Sequence, residues 1–328
     1  MKINFAFLFL ITGIVASRDM AFTGGTEELD PISKYNAQNN EKANVSFLLF
    51  TRRNPLKPDE IVLDNEESVE NSEFNPQNPS RFLIHGWRGG PSDVINVLCQ
   101  ANYLARGDYN IFIVDWCPLA SSSYLNATVN VREAGKQVAA FIDFLHRNHG
   151  LNLASTYIIG HSLGAHVAGI TGKHVKRGRI RAIFGLDPAQ PLFSIDRPNE
   201  RLDANDAEYV ENIHTNTAFK GFAKPIGDSS YYPNWGRRQP GCGADLLGSC
   251  SHERAVRYFA ESLEGRSNFY GVQCESYGNI ENMTCNIGVT VKMGGDLLDF
   301  KGSGVFYVPV GEKYPFAKGK IPYMHLFS

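Results

Sequence analysis

The chain has 328 residues, 43% of them hydrophobic and 20% charged, and a formal net charge of −2. This is ordinary globular composition, and the length suits one large α/β domain with a sizeable core. With no basic excess and no nucleic-acid-binding motif, nucleic acid is not an expected partner.

Lys2 precedes an apolar run, Phe5 to Val15, which ends at the small residues Ala16 and Ser17. That order predicts a signal peptide over residues 1–17, cut near Ser17, with a buried N-terminal helix or a membrane anchor as the alternative. The run is too short to span a bilayer, and no later segment reaches ~18 apolar residues, so no transmembrane segment is expected. The expected product is a secreted, extracellular protein made of a single domain, 18–328. Six cysteines follow the leader: Cys99, Cys117, Cys242, Cys250, Cys274 and Cys285. An even number in a secreted chain predicts disulfides. Proximity suggests 99–117, 242–250 and 274–285, and spacing alone leaves other pairings open. No CxxC pair supports a zinc site. Asn44, Asn126 and Asn282 each begin an N-x-S/T sequon and are candidate glycan sites.

Residues 52–80 are rich in Asn, Pro and Glu and predict a surface loop with a short strand at Glu60–Leu63. From Arg81 onward short apolar runs recur: Arg81–Ile84, Asn110–Val114, Thr156–Ile159, Arg181–Leu186 and Tyr209–Ile213. Their length and their Ile, Val and Phe content suit strands buried on both faces. Between them, Val131, Ala134, Val138, Phe141, Ile142 and Leu145 fall at helical spacing and make one apolar face. Val94, Val97, Leu98, Ala101 and Leu104 repeat the pattern more briefly. Strands alternating with helices predict an α/β fold with a central, mostly parallel sheet covered on both sides. Near the C-terminus Ile287, Val289, Val291 and Met293 alternate with Asn286, Gly288, Thr290 and Lys292. That period of two predicts an antiparallel edge with one wet face.

The strongest chemical signal is Gly160-His161-Ser162-Leu163-Gly164, which follows the apolar run Tyr157–Ile159 and precedes the helical spacing of Ala165, Val167, Ala168 and Ile170. A strand, G-x-S-x-G and a helix in that order make the nucleophile elbow of an α/β-hydrolase, with a purely structural turn as the alternative. Ser162 is the candidate nucleophile. In this architecture an acid and then a histidine follow the serine in the chain. That order sets aside Asp115 and favours Asp187, at the end of the strand 181–186, over Asp196, Asp203 and Asp206 in a later polar loop. For the base, His214 ends a strand and His252 opens a helix pattern beside Cys250, while His325 lies close to the end of the chain. Local context favours His252 and leaves His214 open.

His85-Gly86-Trp87, Gly160–Gly164, Gly185-Leu186-Asp187-Pro188-Ala189, Gln239-Pro240-Gly241-Cys242 and Cys250-Ser251-His252-Glu253-Arg254-Ala255 together resemble the pancreatic lipase family. Within it the chain is most similar to the insect branch that contains wasp-venom phospholipases A1. The resemblance covers roughly residues 35–315 and implies a triad of Ser162, Asp187 and His252. It implies an oxyanion hole from the backbone N–H groups of Trp87 and Leu163, in keeping with their positions after strand 81–84 and after the nucleophile. The Trp87 indole itself is open to a core-packing role. The chemistry implied is acyl transfer from an ester to Ser162 and then to water, with no cofactor.

The family carries its lid between the cysteines that correspond to Cys242 and Cys250. Here that segment is only Gly243-Ala244-Asp245-Leu246-Leu247-Gly248-Ser249. A short lid, with a shortened loop after His214-Thr215, accompanies phospholipase A1 activity, so the expected substrate is a phospholipid at a lipid surface. Leu246 and Leu247 either meet that surface or pack on the domain. The alternatives are a triacylglycerol or galactolipid lipase and a non-catalytic lipid-binding or yolk-type relative. The sequence ends too soon after these motifs for the β-sandwich of digestive lipases, so no colipase is expected. Three features depart from the pattern: Gly227–Gly236 replaces the usual aromatic-rich segment, the cysteines are fewer than in the venom enzymes, and Arg201–Asp206 resembles a calcium loop in which Pro198 stands where an acid is expected. No metal is assigned.

Overall fold

The computed structural model describes residues 45–320 apart from 267, 286–287 and 297–301. The expected leader 1–17, the sequon at Asn44 and His325 lie outside the described residues.

The described strands are β1 (Ser46–Phe50), β2 (Asp59–Ile61), β3 (Ser80–Ile84), β4 (Asn110–Asp115), β5 (Thr156–His161), β6 (Ala182–Leu186), β7 (Val210–Ile213), β8 (Ser229–Pro233), β9 (Phe269–Cys274), β10 (Thr290–Met293) and β11 (Gly304–Val308). They form one sheet in the order β10-β9-β11-β8-β7-β6-β5-β3-β4-β1-β2. From β4 through β3, β5, β6, β7 and β8 to β11 every pairing is parallel. β1 and β2 at one end, and β9 and β10 at the other, pair antiparallel. This is the α/β-hydrolase architecture: a large, mostly parallel sheet with helices on both faces.

The expected strands appear with shifts of one or two residues, and β10 is the antiparallel edge that the alternation predicted, over its described part. The segment 52–80 is less loop-like than expected, because a short helix, α1 (Glu66–Glu70), follows β2.

Larger helices follow the central strands: α2 (Val94–Arg106) after β3, a short α3 (Cys117–Ala120) and a long α4 (Tyr124–His149) after β4, and α5 (Leu163–His174) after β5. α6 (Ser249–Ser262) carries His252, and α7 (Tyr277–Asn282) is a short C-terminal helix. The sheet separates two cores. Phe82 and Ile84 of β3 pack with α4 and α5, whereas Leu83 packs with α2 and α6. That split is the period-two alternation of a strand covered on both faces. β3 and β5 are neighbours, yet the helices that follow them leave to opposite faces. Their carboxyl ends therefore border a crevice, the place where open α/β sheets bind ligands.

Buried polar contacts fasten the C-terminal segment to this frame. Arg81 on β3 donates from Nε and Nη2 to Asp296 Oδ1 at 2.9 and 2.7 Å, and Tyr109 donates its hydroxyl to Asp296 Oδ2 at 2.7 Å. The guanidinium lies 3.8 Å from the Tyr157 ring centre. Glu261 on α6 accepts the backbone N–H groups of Phe316 and Ala317 at 2.8 and 3.0 Å.

Two disulfides are present, Cys242–Cys250 and Cys274–Cys285, but the suggested Cys99–Cys117 bond is not. Cys99 points from the middle of α2 into the core on one face of the sheet. Cys117 lies beyond β4 at the start of α3, with its Sγ 3.0 Å from Ser121 Oγ. Nearness in sequence failed here because a whole strand intervenes.

Candidate active site

Ser162 sits between β5 and α5 with φ 58° and ψ −121°. A serine held at positive φ costs about 1–3 kcal/mol and persists only where its surroundings enforce it. They do so here. Ser162 N–H donates to Leu186 O on β6 at 3.0 Å, and Ser162 O accepts from Ala165 and Ala189 at 3.1 and 3.3 Å. The turn also needs bare backbone on both sides. A Cβ on Gly160 would strike the Gly164 carbonyl, and one on Gly164 would strike the carbonyls of Ile84 and His85. The loop after β3 thus passes directly over the elbow.

Asp187 follows β6, is fully buried and also has positive φ, 44°. Its Oδ2 lies 2.5 Å from His252 Nδ1. Its Oδ1 accepts the backbone N–H groups of Thr215 and Asn216 at 2.7 and 3.0 Å. Both carboxylate oxygens are therefore occupied, which leaves the group as a fixed acceptor for the imidazole. The His252 carbonyl accepts from His161 Nε2 at 3.2 Å, and the two rings lie 4.6 Å apart. Burial, together with the neighbouring His252, holds His161 well below the usual histidine range.

Ser162 and His252 face a common cavity of about 310 Å³ that Gly86, Trp87, Tyr124, Ala189, Pro191 and Lys220 help to line. No Ser162–His252 hydrogen bond is formed in this structure, which is common in unliganded hydrolases whose contacts tighten around substrate. The competing His214 turns elsewhere. Its Nδ1 meets Phe222 O at 2.7 Å, its ring stacks on Tyr232 at 4.6 Å, and burial lowers it to about 4.

Leu163 follows Ser162 directly and Trp87 lines the same cavity, and among the described residues no hydrogen bond takes up either backbone N–H. His85 orients the first of them. Its Nδ1 lies 2.9 Å from Gly86 O, the carbonyl of the same peptide unit that carries Trp87 N–H. His85 Nε2 accepts Trp116 N–H at 3.3 Å and stands 3.4 Å from Asp115. Asp115, set aside as the triad acid, accepts Cys117 N–H at 3.0 Å. The Trp87 indole is not core. It lies at the cavity rim, edge-on to Tyr124 at 5.2 Å, and donates to Ser122 O at 3.0 Å.

The flap 243–249 is closed by the Cys242–Cys250 bond and by Asp245, whose carboxylate accepts the N–H groups of Cys250 and Ser251 at 3.0 and 2.9 Å. Leu246 and Leu247 are 83% and 78% exposed, so they do not pack on the domain. In the loop that resembles a calcium site, Asp206 pairs with Lys173 and Asp203 lies 3.3 Å from Arg201. Asp196 is exposed, with Oδ2 3.5 Å from Ser194 Oγ. Sequence reasoning did not single out Asn216, Lys220, Tyr124 or His161. Asn216 and Lys220 follow β7 at the carboxyl edge, and that position was the available signal.

The fold and the serine–histidine–aspartate cluster at its carboxyl edge define an α/β-hydrolase. Residues 10–316 match the family Lipase, and the chain belongs to it, in the branch of pancreatic lipases and their relatives. The chain is 33% identical over 269 residues to pancreatic triacylglycerol lipase of Equus caballus, which covers 75% of this chain and 58% of that one. It is 35% identical over 248 residues to lipase member H of Danio rerio, covering 74% and 54%. It is 34% identical over 269 residues to inactive pancreatic lipase-related protein 1 of Mus musculus, covering 75% and 56%. The chain spans little more than half the length of these relatives.

Proposed function

We propose that the protein is a secreted carboxylic ester hydrolase that releases the sn-1 acyl chain of phospholipids. Ser162 is the nucleophile, His252 the base and then the acid, and Asp187 the group that orients His252. His252 takes the hydroxyl proton as Ser162 attacks the ester carbonyl. The amides of Trp87 and Leu163 hold the oxyanion, His252 returns the proton to the leaving alcohol, and water repeats the sequence on the acyl-enzyme. The 2.5 Å His252–Asp187 contact and the strained Ser162 turn support these roles.

The observation that carries the substrate class is the flap. Seven residues pinned at both ends, with their leucines exposed, cannot roof a site for a long-chain triglyceride. An open mouth lets a charged headgroup stay hydrated while one acyl chain enters the cavity. An extracellular setting is supported by the two disulfides and by the exposed sequon asparagines Asn126 and Asn282.

A neutral-lipid lipase is the second reading, favoured by the horse relative's activity on triacylglycerol. Product analysis on a phosphatidylcholine with different sn-1 and sn-2 chains, beside an emulsified triolein assay, separates the two. Predominant sn-1 release is expected. Triolein turnover well above phospholipid turnover would overturn the proposal.

A further inference from the structure

We propose that Lys220 is the specificity residue of this site and that it contacts the headgroup phosphate of the lipid. This inference rests on the phospholipid reading above and sharpens it.

Lys220 lies in the turn after β7 and is one of the residues that line the same cavity as Ser162 and His252. Among the described lining residues it is the one lysine or arginine. Its backbone is fixed: Lys220 O accepts Gln190 N–H at 2.8 Å, and Lys220 N–H points to Asn216 Oδ1 at 3.4 Å. The ammonium donates to Ser249 Oγ, the last residue of the flap, at 2.7 Å. No described carboxylate lies within ion-pair distance of it, whereas Lys173 and Lys224 each have one.

The acidic groups nearby hold backbone N–H groups, and Asp245 acts on the Lys220 charge only from beyond ion-pair distance. Asp245 accepts the N–H groups of Cys250 and Ser251, and Asp93, which also lines the cavity, accepts Ile95 N–H at 3.3 Å as the N-cap of α2. Arg237 and Arg238, which donate to Glu281 O and Ala244 O, do not line this cavity. A half-buried ammonium with one hydroxyl partner has two further N–H donors to offer. Phosphate oxygens meet that demand, because a charge-assisted bond is stronger than a neutral one. In a phospholipid the phosphate stands one glycerol backbone away from the sn-1 ester. A neutral glyceride brings no anion to this position. Lys220 thus supplies an attractive term for phospholipid, independent of what the short flap permits.

The test compares wild type, Lys220→Met and Lys220→Arg on phosphatidylglycerol in mixed micelles and on p-nitrophenyl butyrate, which has no phosphate. The quantity read is the ratio of the two kcat/KM values. Loss of one charged hydrogen bond lowers this ratio by about tenfold to a hundredfold in Lys220→Met, and Lys220→Arg retains most of it. Equal losses on both substrates, or an unchanged ratio, would overturn the assignment and leave phospholipase activity standing. If wild type cleaves the butyrate ester but has no rate on phosphatidylglycerol, the phospholipid reading itself falls, and this inference with it.

Discussion

The side-chain amide of Asn216 donates to the carbonyl of Gly248 at 2.5 Å, and that carbonyl also receives the backbone N–H of His252 at 3.0 Å. Because Asn216 N–H also reaches Asp187 at 3.0 Å, one residue ties the proposed acid to the start of the helix that carries the proposed base.

Asn216→Ala is therefore expected to loosen the Asp187–His252 geometry without removing a reacting group. A loss of about 1–3 kcal/mol in transition-state stabilisation, roughly tenfold to a hundredfold in kcat, should appear with KM nearly constant. Steady-state kinetics on a soluble ester measure it. A variant with wild-type kcat would show that the Asp187 loop and α6 hold their positions without this tie.

Ser162→Ala and His252→Ala are each expected to cost on the order of 10⁴ to 10⁶ in kcat, since triad members act as a unit. His214→Ala should keep most of its activity per folded molecule, because His214 faces Phe222 and Tyr232 rather than the cavity. Its cost should appear in thermal stability instead. A dead His214→Ala that remains folded, beside an active His252→Ala, would reverse the choice of base.

His166 is buried and neutral by geometry: Nε2 meets Ala189 O at 2.7 Å while Nδ1 accepts Leu202 N–H at 3.1 Å. A proton on Nδ1 would point at that N–H, and burial lowers the group to about 3 from its ordinary value of 6.5. Below about pH 6.5 the unfolded chain binds a proton here that the folded chain refuses, so stability falls as the pH drops toward 3. The slope is about 1.4 kcal/mol per pH unit. Urea unfolding of wild type and His166→Gln at pH 7, 6 and 5 isolates it. The difference between the two should shrink by that slope below pH 6.5, and a pH-independent difference would refute it.

Removing the Cys242–Cys250 bond in the double variant Cys242→Ser, Cys250→Ser should lower stability by about 2–3 kcal/mol by the loop-entropy estimate. It should also lower activity, because the bond anchors α6 two residues before His252. Differential scanning calorimetry and ester hydrolysis of the same preparation report the two effects. A drop in Tm with full activity would separate the flap from the positioning of His252.

Much of the site was legible because its chemistry is local. The elbow needs a strand, two glycines around a serine, and a helix, all within Thr156–His174, and the structure has them in that order. Asp187 was legible as a carboxylate at a strand end. Between His214 and His252 the local context only leaned to the latter, since both stand at element termini, and it was the family resemblance that made the choice. Lys220 and Asn216 were missed, since their partners are Ser249 and Gly248. Among the strands, β8 reads Ser-Ser-Tyr-Tyr-Pro, with neither an apolar run nor alternation, and it is buried only because β7 and β11 flank it. The Cys99–Cys117 suggestion failed because distance along the chain stood in for distance in space.

The Arg81–Asp296 contact has a bearing on how the chain is made. Residue 81 is made before residue 296, so until Asp296 is in place the guanidinium on β3 has its carbonyl and ring partners but lacks this counter-ion. An unpaired buried charge costs about 3–5 kcal/mol. A chain stalled or clipped before Asp296 would contain Ser162, Asp187 and His252 in full and yet lack the anion that lets the central strand settle.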